Sequence, residues 1–340
     1  MRSTYPATGG FMRRVRGLLA FVVALALGWD LGAASAQQLE KVVIGHSSLR
    51  NDMAFLWVPQ QIGLFKKNGL DPTIVFISGG VRMIQAIVSE SAPVGSTGAA
   101  LVTSAAAGGA DTVMILGITN LLTYDVWAKP EIKRAADLKS KTLAISGFGS
   151  SSHVASFLML KHFGLDEKRD GITFLVVGDE PTRVQALIAG RIDATIVDPS
   201  VSAPLKERNF SYLGNLQQLG VPFVNDSVVT TRRFLKEHPR MAEAIVKTIV
   251  EGNAFMLNPV NRPTVTEVLG KHLHISQKDA ERAYEDLLPK VERRPYPNMD
   301  AVRATIQVMG LKNPKIAQLK AEDLVDVSIL QRLEQSGFVH

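Results

Sequence analysis

The sequence predicts an α/β fold of mostly parallel sheets flanked by helices, arranged in two similar halves. Three observations carry that expectation. Short apolar runs alternate with amphipathic stretches along most of the chain, and turn residues mark the changes. The string Gln85-Ala86-Ile87-Val88 returns as Gln185-Ala186-Leu187-Ile188, each copy with an arginine just upstream (Arg82, Arg183) and strands on either side. The chain also has 340 residues, 46% hydrophobic and 21% charged, which excludes a disordered tail and a multi-span membrane protein. Strand and helix in alternation build a parallel sheet covered on both faces. A chain of this length usually divides into about two domains.

Each element follows from local pattern. Lys41–Gly45 reads as a buried strand, followed by the polar turn His46–Asp52 and a helix to about Lys67. Asn68-Gly69 stops that helix as a left-handed cap, with Leu70 folding back on it. Thr73–Ile77 is the next strand, Gly79-Gly80 the turn and Val81–Ser89 the next helix. Val94-Gly95 leads into a helix over Thr97–Ala107, and Thr112–Thr119 is a strand. The second half repeats the rhythm: strand Thr142–Ser146, helix Ser152–Phe163, strand Ile172–Val177, helix Pro181–Ala189, strand Ala194–Val197. From about Thr231 the pattern becomes helical, near Arg240–Met256, Pro263–Leu269 and Ser276–Leu287.

The N-terminus reads as an export signal. Arg13, Arg14 and Arg16 precede the apolar run Leu18–Leu27, and Ala34-Ser35-Ala36 forms an A-x-A cleavage site before Gln37. Ten helical residues rise about 15 Å, half of a bilayer core, so the segment is a leader (residues 1–36) rather than an anchor. Translation starts at Met1 or at Met12. Without residues 1–36 the formal charge falls from +6 to +3, so the basic pI gives little support for nucleic-acid binding. The chain contains no cysteine. Disulfides, thiolate metal sites, a cysteine nucleophile and a lipidated anchor are thereby excluded. The mature protein is expected free in a Gram-negative periplasm, as a monomer.

Gln60–Leu70 (Q-Q-I-G-L-F-K-K-N-G-L) resembles the G-L-F-x-x-x-G-L signature of periplasmic substrate-binding proteins of the nitrate/sulfonate/taurine ABC-transporter class, which share a fold with the thiamine-pyrimidine-precursor binders. The likeness continues through Ser78–Val88, Ala99–Ala107, Ala136–Ile145 and Ala186–Asp198, in order, over about residues 40 to 240. Pro93 departs from the usual Asp of the first half's G-x-x-D motif. Pro59 replaces the usual Ala and fits an N1 proline that starts the helix later. The resemblance implies a two-lobed type II clamshell. Lobe one would be 37–125 plus 232–340 and lobe two 126–231, with crossings near Leu122–Lys129 and Phe223–Thr231. It also implies a small-molecule ligand between the lobes and an inner-membrane ABC permease with its ATPase as partner. No cofactor, metal or nucleic acid is implied.

Open α/β sheets bind ligands outside the carboxyl ends of their strands, which places the site residue by residue. Ser47, Ser48 and Asn51 follow the first strand; Gly79, Gly80 and Arg82 follow the second; Ser96 and Thr97 open the next helix; and Asn120 ends the following strand. From the second half come Phe148, Ser150, Ser151 and Ser152 at a helix start, and Asp198 after a strand. Free N–H groups and hydroxyls at a helix start favour an anionic, sulfonate- or carboxylate-like ligand group. Ser150–Ser152 fit an ordinary N-cap equally well. Arg82 and Arg183 fit either a counter-charge for a ligand acid or plain surface arginines. Asp198 fits a helix cap or a polar contact, and Trp57, Tyr124 and Phe148 fit either core packing or stacking on an aromatic ligand.

Sharper motifs fail. Gly147–Ser152 lacks the third glycine of a dinucleotide fingerprint. Gly45–Leu49 lacks the last glycine of a nucleophile elbow. His272 and His274 lie on different sides of a helix, which does not suit metal ligation. The expected function is solute capture for an ABC importer, without catalysis. The alternatives are an enzyme on the same fold, of dehydratase or pyrimidine-precursor type, and a solute receptor for a membrane sensor.

Overall fold

A computed structural model describes residues 38–339, together with Met1 and Thr4. The expected leader and cleavage site lie outside these residues. Among the described residues ten strands form two five-stranded sheets: β1 (Glu40–His46), β2 (Leu70–Phe76), β3 (Val94–Thr97), β4 (Thr112–Thr119) and β10 (Asp226–Thr231) in one, and β5 (Asp125–Ala128), β6 (Thr142–Ile145), β7 (Thr173–Val176), β8 (Ala194–Val197) and β9 (Ser211–Asn215) in the other. Their orders are β2-β1-β3-β10-β4 and β7-β6-β8-β5-β9. In each, three consecutive strands run parallel and the fourth in order is antiparallel to both neighbours. Helices flank both sheets, so the α/β class and the two-lobed architecture stand as expected.

The antiparallel strands depart from the sequence expectation. Asp226–Thr231, expected within the second crossing, is an inner strand of the first sheet, and Asp125 opens β5 of the second. The chain therefore passes between sheets over 120–124 and 216–225. These two passages are bonded to each other: Leu216 N–H donates to Tyr124 O at 2.8 Å, and Asn225 Nδ2 to Thr123 Oγ1 at 3.3 Å.

The first helix is broken, because Gly63 adopts φ 78° between α1 (Ala54–Gln61) and α2 (Leu64–Lys67). Pro59 is inside α1 rather than at its start. It packs on Gly252 of the long helix Pro239–Leu257, whose missing side chain makes room for the ring. The C-terminal part adds helices Met299–Gly310 and Ser328–Gln335 to those expected. One apolar core joins β1, α1 and the helices from Pro239 to Leu287, and a second lies under β5, β6 and α5 (Ser151–His162).

The repeated string marks equivalent helices. α3 (Gly80–Val88) links β2 to β3, and α6 (Glu180–Ile188) links β7 to β8, with matching positions 100 residues apart. Their burial patterns agree residue by residue over 81–87 and 181–187. Arg183 therefore corresponds to Met83, not to Arg82. The Met83 methyl fills the groove left by Gly45 and Gly95, whereas the Arg183 guanidinium lies beside Thr195, the counterpart of Gly95.

Candidate functional site

The starts of α3, α4 (Ala99–Ala107), α5 and α6 follow strands of the two sheets and meet at one polar cavity of about 50 Å³. That is room for about four water-sized groups. Ser47, Ser48, Gly79, Gly80 and Thr97 line it from the first sheet, and Ser150, Ser151 and Ser152 from the second. Gly79 sits at φ 83°, a left-handed conformation open to glycine, and so lets the chain turn tightly into α3.

The cavity also gathers residues that the motifs did not single out: Arg50, Ser146, Asp179, Glu180, Asn225 and Asp226. Tyr124 and Arg183, left open between roles, line it too. Arg183 is 1% exposed, so the surface reading is corrected. Its donors go to Thr195 Oγ1 at 3.1 Å and to the carbonyls of Gly178 at 2.6 Å and Ile196 at 3.0 Å.

Six expected positions do not reach the cavity, each for a local reason. Asn51 donates to Ala283 O at 2.9 Å and accepts from Lys290 Nζ at 3.3 Å, so its amide is turned toward the C-terminal helices. Ser96 belongs to β3, not to a helix start, and its hydroxyl is buried against Met53 Sδ at 3.5 Å. Arg82 is exposed on α3, because the 100° step per residue turns its neighbour Met83 inward instead. Asn120 donates to Tyr296 O at 2.9 Å and accepts from Asn298 N–H at 3.0 Å. Phe148 is 61% exposed, with its ring edge-on to His153. Asp198 is fully buried behind the cavity, capping Ser200 N–H at 3.0 Å while accepting from Thr123 at 2.7 Å and Lys290 at 3.3 Å. It therefore fills both the cap and the contact role. Trp57 is a core residue, stacked on His272 at 4.6 Å.

The electrostatic centre is Arg50, which is 2% exposed. It pairs with Asp52 at 2.7 Å and with Asp226 and Glu180 at 3.2 Å each. Asp52 and Asp226 belong to the first half and Glu180 to the second, so one guanidinium joins the two sheets across the cleft. Ser78 Oγ donates to Asp179 Oδ2 at 2.5 Å and Ser151 Oγ to the Asn225 carbonyl at 3.3 Å, also across it. Burial, reinforced by the charge of Asp52 and only partly offset by Arg50, pushes the Asp226 carboxyl up to about 7. Burial raises Glu180 as well, against the pull of Arg50 and Arg183. Asp198 is held below the usual carboxylate range despite its burial, because Lys290 and Arg50 favour its charge.

The sequence profile of the family described as NMT1/THI5 like matches residues 50–261. Among solved structures, a protein from Bordetella bronchiseptica RB50 matches at TM-score 0.76 and 20% identity, covering 87% of this chain and 98% of its own. The alkanesulfonate-binding protein SsuA from Xanthomonas axonopodis pv. citri, bound to MOPS, matches at TM-score 0.68 and 19% identity, covering 84% of this chain and 98% of its own. The periplasmic nitrate-binding protein NrtA from Synechocystis PCC 6803 matches at TM-score 0.72 and 12% identity, covering 88% and 89%. At these identities the likeness is one of fold. No curated protein matches the chain by sequence.

Proposed function

The chain belongs to the NMT1/THI5-like family, and from that premise we propose that it is the periplasmic solute-binding component of an ABC importer. It captures a small organic solute between its two sheets and hands it to an inner-membrane permease. The observation that carries this reading is the convergence of four helix starts, two from each half, on one polar cavity. The solved neighbours named above for alkanesulfonate and nitrate binding support it. Closure about the passages 120–124 and 216–225 is the motion this connectivity favours, with Arg50–Glu180 and Ser78–Asp179 as contacts made on closing. The leader pattern ending at Ala36 supports export.

The test is native mass spectrometry of protein purified from its own host, followed by small-angle scattering with and without the recovered solute. The solute should be recovered unchanged, and adding it should compact the protein. A solute bound at micromolar affinity with no change in scattering would remove the clamshell account. Conversion of the solute on incubation would assign an enzyme instead.

A further inference from the structure

Three carboxylates meet one guanidinium where the two halves touch. Arg50 Nη2 lies 2.7 Å from Asp52 Oδ2 and 3.2 Å from Asp226 Oδ2, and its Nη1 lies 3.2 Å from Glu180 Oε1. Asp52 and Asp226 share the first half with Arg50, whereas Glu180 comes from the second. Arg50, Glu180 and Asp226 line the space between the sheets, so opening the halves returns water to all three. The surroundings supply little further positive charge. Arg183, the other cation on this wall among the described residues, gives its hydrogen bonds to Thr195 and two backbone carbonyls. Lys290 is matched to Asp198 at 3.3 Å behind the cavity. Asp179 adds a carboxylate that Ser78 and Thr182 hold in its charged form, and burial keeps the Tyr124 phenol neutral. Two guanidinium groups therefore face four carboxylates, three of them paired with Arg50. Closing with every carboxylate ionised buries uncompensated charge, which is strongly disfavoured.

We propose that closure takes up a proton, held by the Asp226 carboxyl, which makes the Arg50 cluster a pH-sensitive latch that favours the closed arrangement as pH falls. This rests on the reading of the two halves as a closing clamshell. Asp226 is the member placed to hold the proton. Asp52 has the shorter contact with Arg50 and also accepts from Thr119 Oγ1 at 2.8 Å. Glu180 accepts the Asp198 N–H at 2.6 Å, and Arg50 and Arg183 both favour its charge. Asp226 shares Arg50 Nη2 with Asp52 at the longer distance. Burial and the Asp52 charge push its carboxyl up to about 7 in the closed arrangement, and hydration on opening returns it toward 3.8. A carboxyl raised in the closed state favours closure fully below 3.8 and loses that contribution as pH rises through 7.

The chain contains no cysteine, so spin labels on Gln85→Cys and Gln185→Cys, exposed and matching positions of α3 and α6, report the separation of the halves. Double electron–electron resonance on the labelled mature protein, with no solute added, should show a short and a long distance. The short-to-long ratio should be about tenfold higher at pH 6 than at pH 8. Asp226→Asn in the labelled protein should hold that ratio constant between the two pH values, and Glu180→Gln should reduce its dependence, because Arg50 then faces two charged carboxylates. Two distances in a ratio that ignores pH would overturn the proton linkage and leave closure standing. A single distance at both pH values would overturn the linkage and count against the closing motion itself. A full dependence kept by both variants would place the proton on another group and overturn the assignment to this cluster.

Discussion

Replacing Asp226 by Asn should stabilise the protein, and only above acidic pH. Arg50 sets one guanidinium against Asp52, Glu180 and Asp226, and all four residues are at most 4% exposed. Burial and the neighbouring Asp52 raise the folded-state Asp226 carboxyl to about 7, against 3.8 in an unfolded chain. A carboxyl with a raised folded value contributes its full stability below 3.8 and loses it as pH rises through 7. Above 7 the folded state must carry an ionised carboxylate that it disfavours, at a cost of about 4 kcal/mol. Asn keeps the shape and removes that cost, while Arg50 retains Asp52 and Glu180. Urea unfolding of both proteins at pH 4 and pH 8 measures the difference. Near-equal stabilities at pH 4 and an Asp226→Asn advantage of several kcal/mol at pH 8 are expected. Equal destabilisation at both values would refute the argument, since it would mean that Arg50 needs an ionised Asp226 throughout.

Two further outcomes bear on the proposed closure and export. A Cβ at Gly98 would collide with Ser151 Oγ and approach the Asn225 carbonyl oxygen to 2.6 Å, so Gly98→Ala should hold the two halves apart. Solute affinity should fall at least tenfold and ligand-induced compaction should be lost; unchanged affinity would show that closure does not bring these groups together. The intact mass of the periplasmic species should correspond to a chain beginning at Gln37, and a full-length species held in the membrane would exclude cleavage at Ala36.

The parallel core of each sheet was legible because its strands announce themselves locally. Lys41–Gly45 and Ala194–Val197 are apolar runs between turns, and their parallel partners in the sheet lie one or two strand–helix units away in sequence. The antiparallel strands were not legible, for a physical reason. Asp226–Thr231 is polar at four of six positions yet wholly buried, and it pairs with strands more than 100 residues earlier. Its hydroxyls are satisfied by remote partners such as Thr97 O and Pro93 O, which no local pattern encodes. Arg50 was hidden in the same way. In Leu49-Arg50-Asn51-Asp52 it reads as a polar turn, and only the fold brings Glu180 and Asp226 to it. The strand-end rule did place Ser47, Ser48, Gly79, Gly80, Thr97 and Ser150–Ser152 on one cavity wall. It erred where one residue of helical phase decides, as at Arg82, or where the C-terminal helices claim a side chain, as at Asn51 and Asn120.

The internal echo explains why the equivalent turns on the two sides of the cavity differ in charge. Equivalent turns hold Ser78-Gly79-Gly80 in the first half and Gly178-Asp179-Glu180 in the second, followed by Met83 and Arg183 at matching buried positions. The first half uses small residues and a flexible apolar side chain, which leave space and carry no charge. The second places two acids and a guanidinium on the same scaffold. The acids then require a partner across the cleft, which the first half supplies as Arg50 to Glu180 and Ser78 to Asp179. Breaking such a buried pair by removing one member typically costs about 3–5 kcal/mol, whereas an open cleft lets water solvate both. The same contacts can therefore favour closure without locking it. On this argument the two halves are alike in backbone so that they can face each other, and unlike in side chains so that the closed state depends on what is held between them.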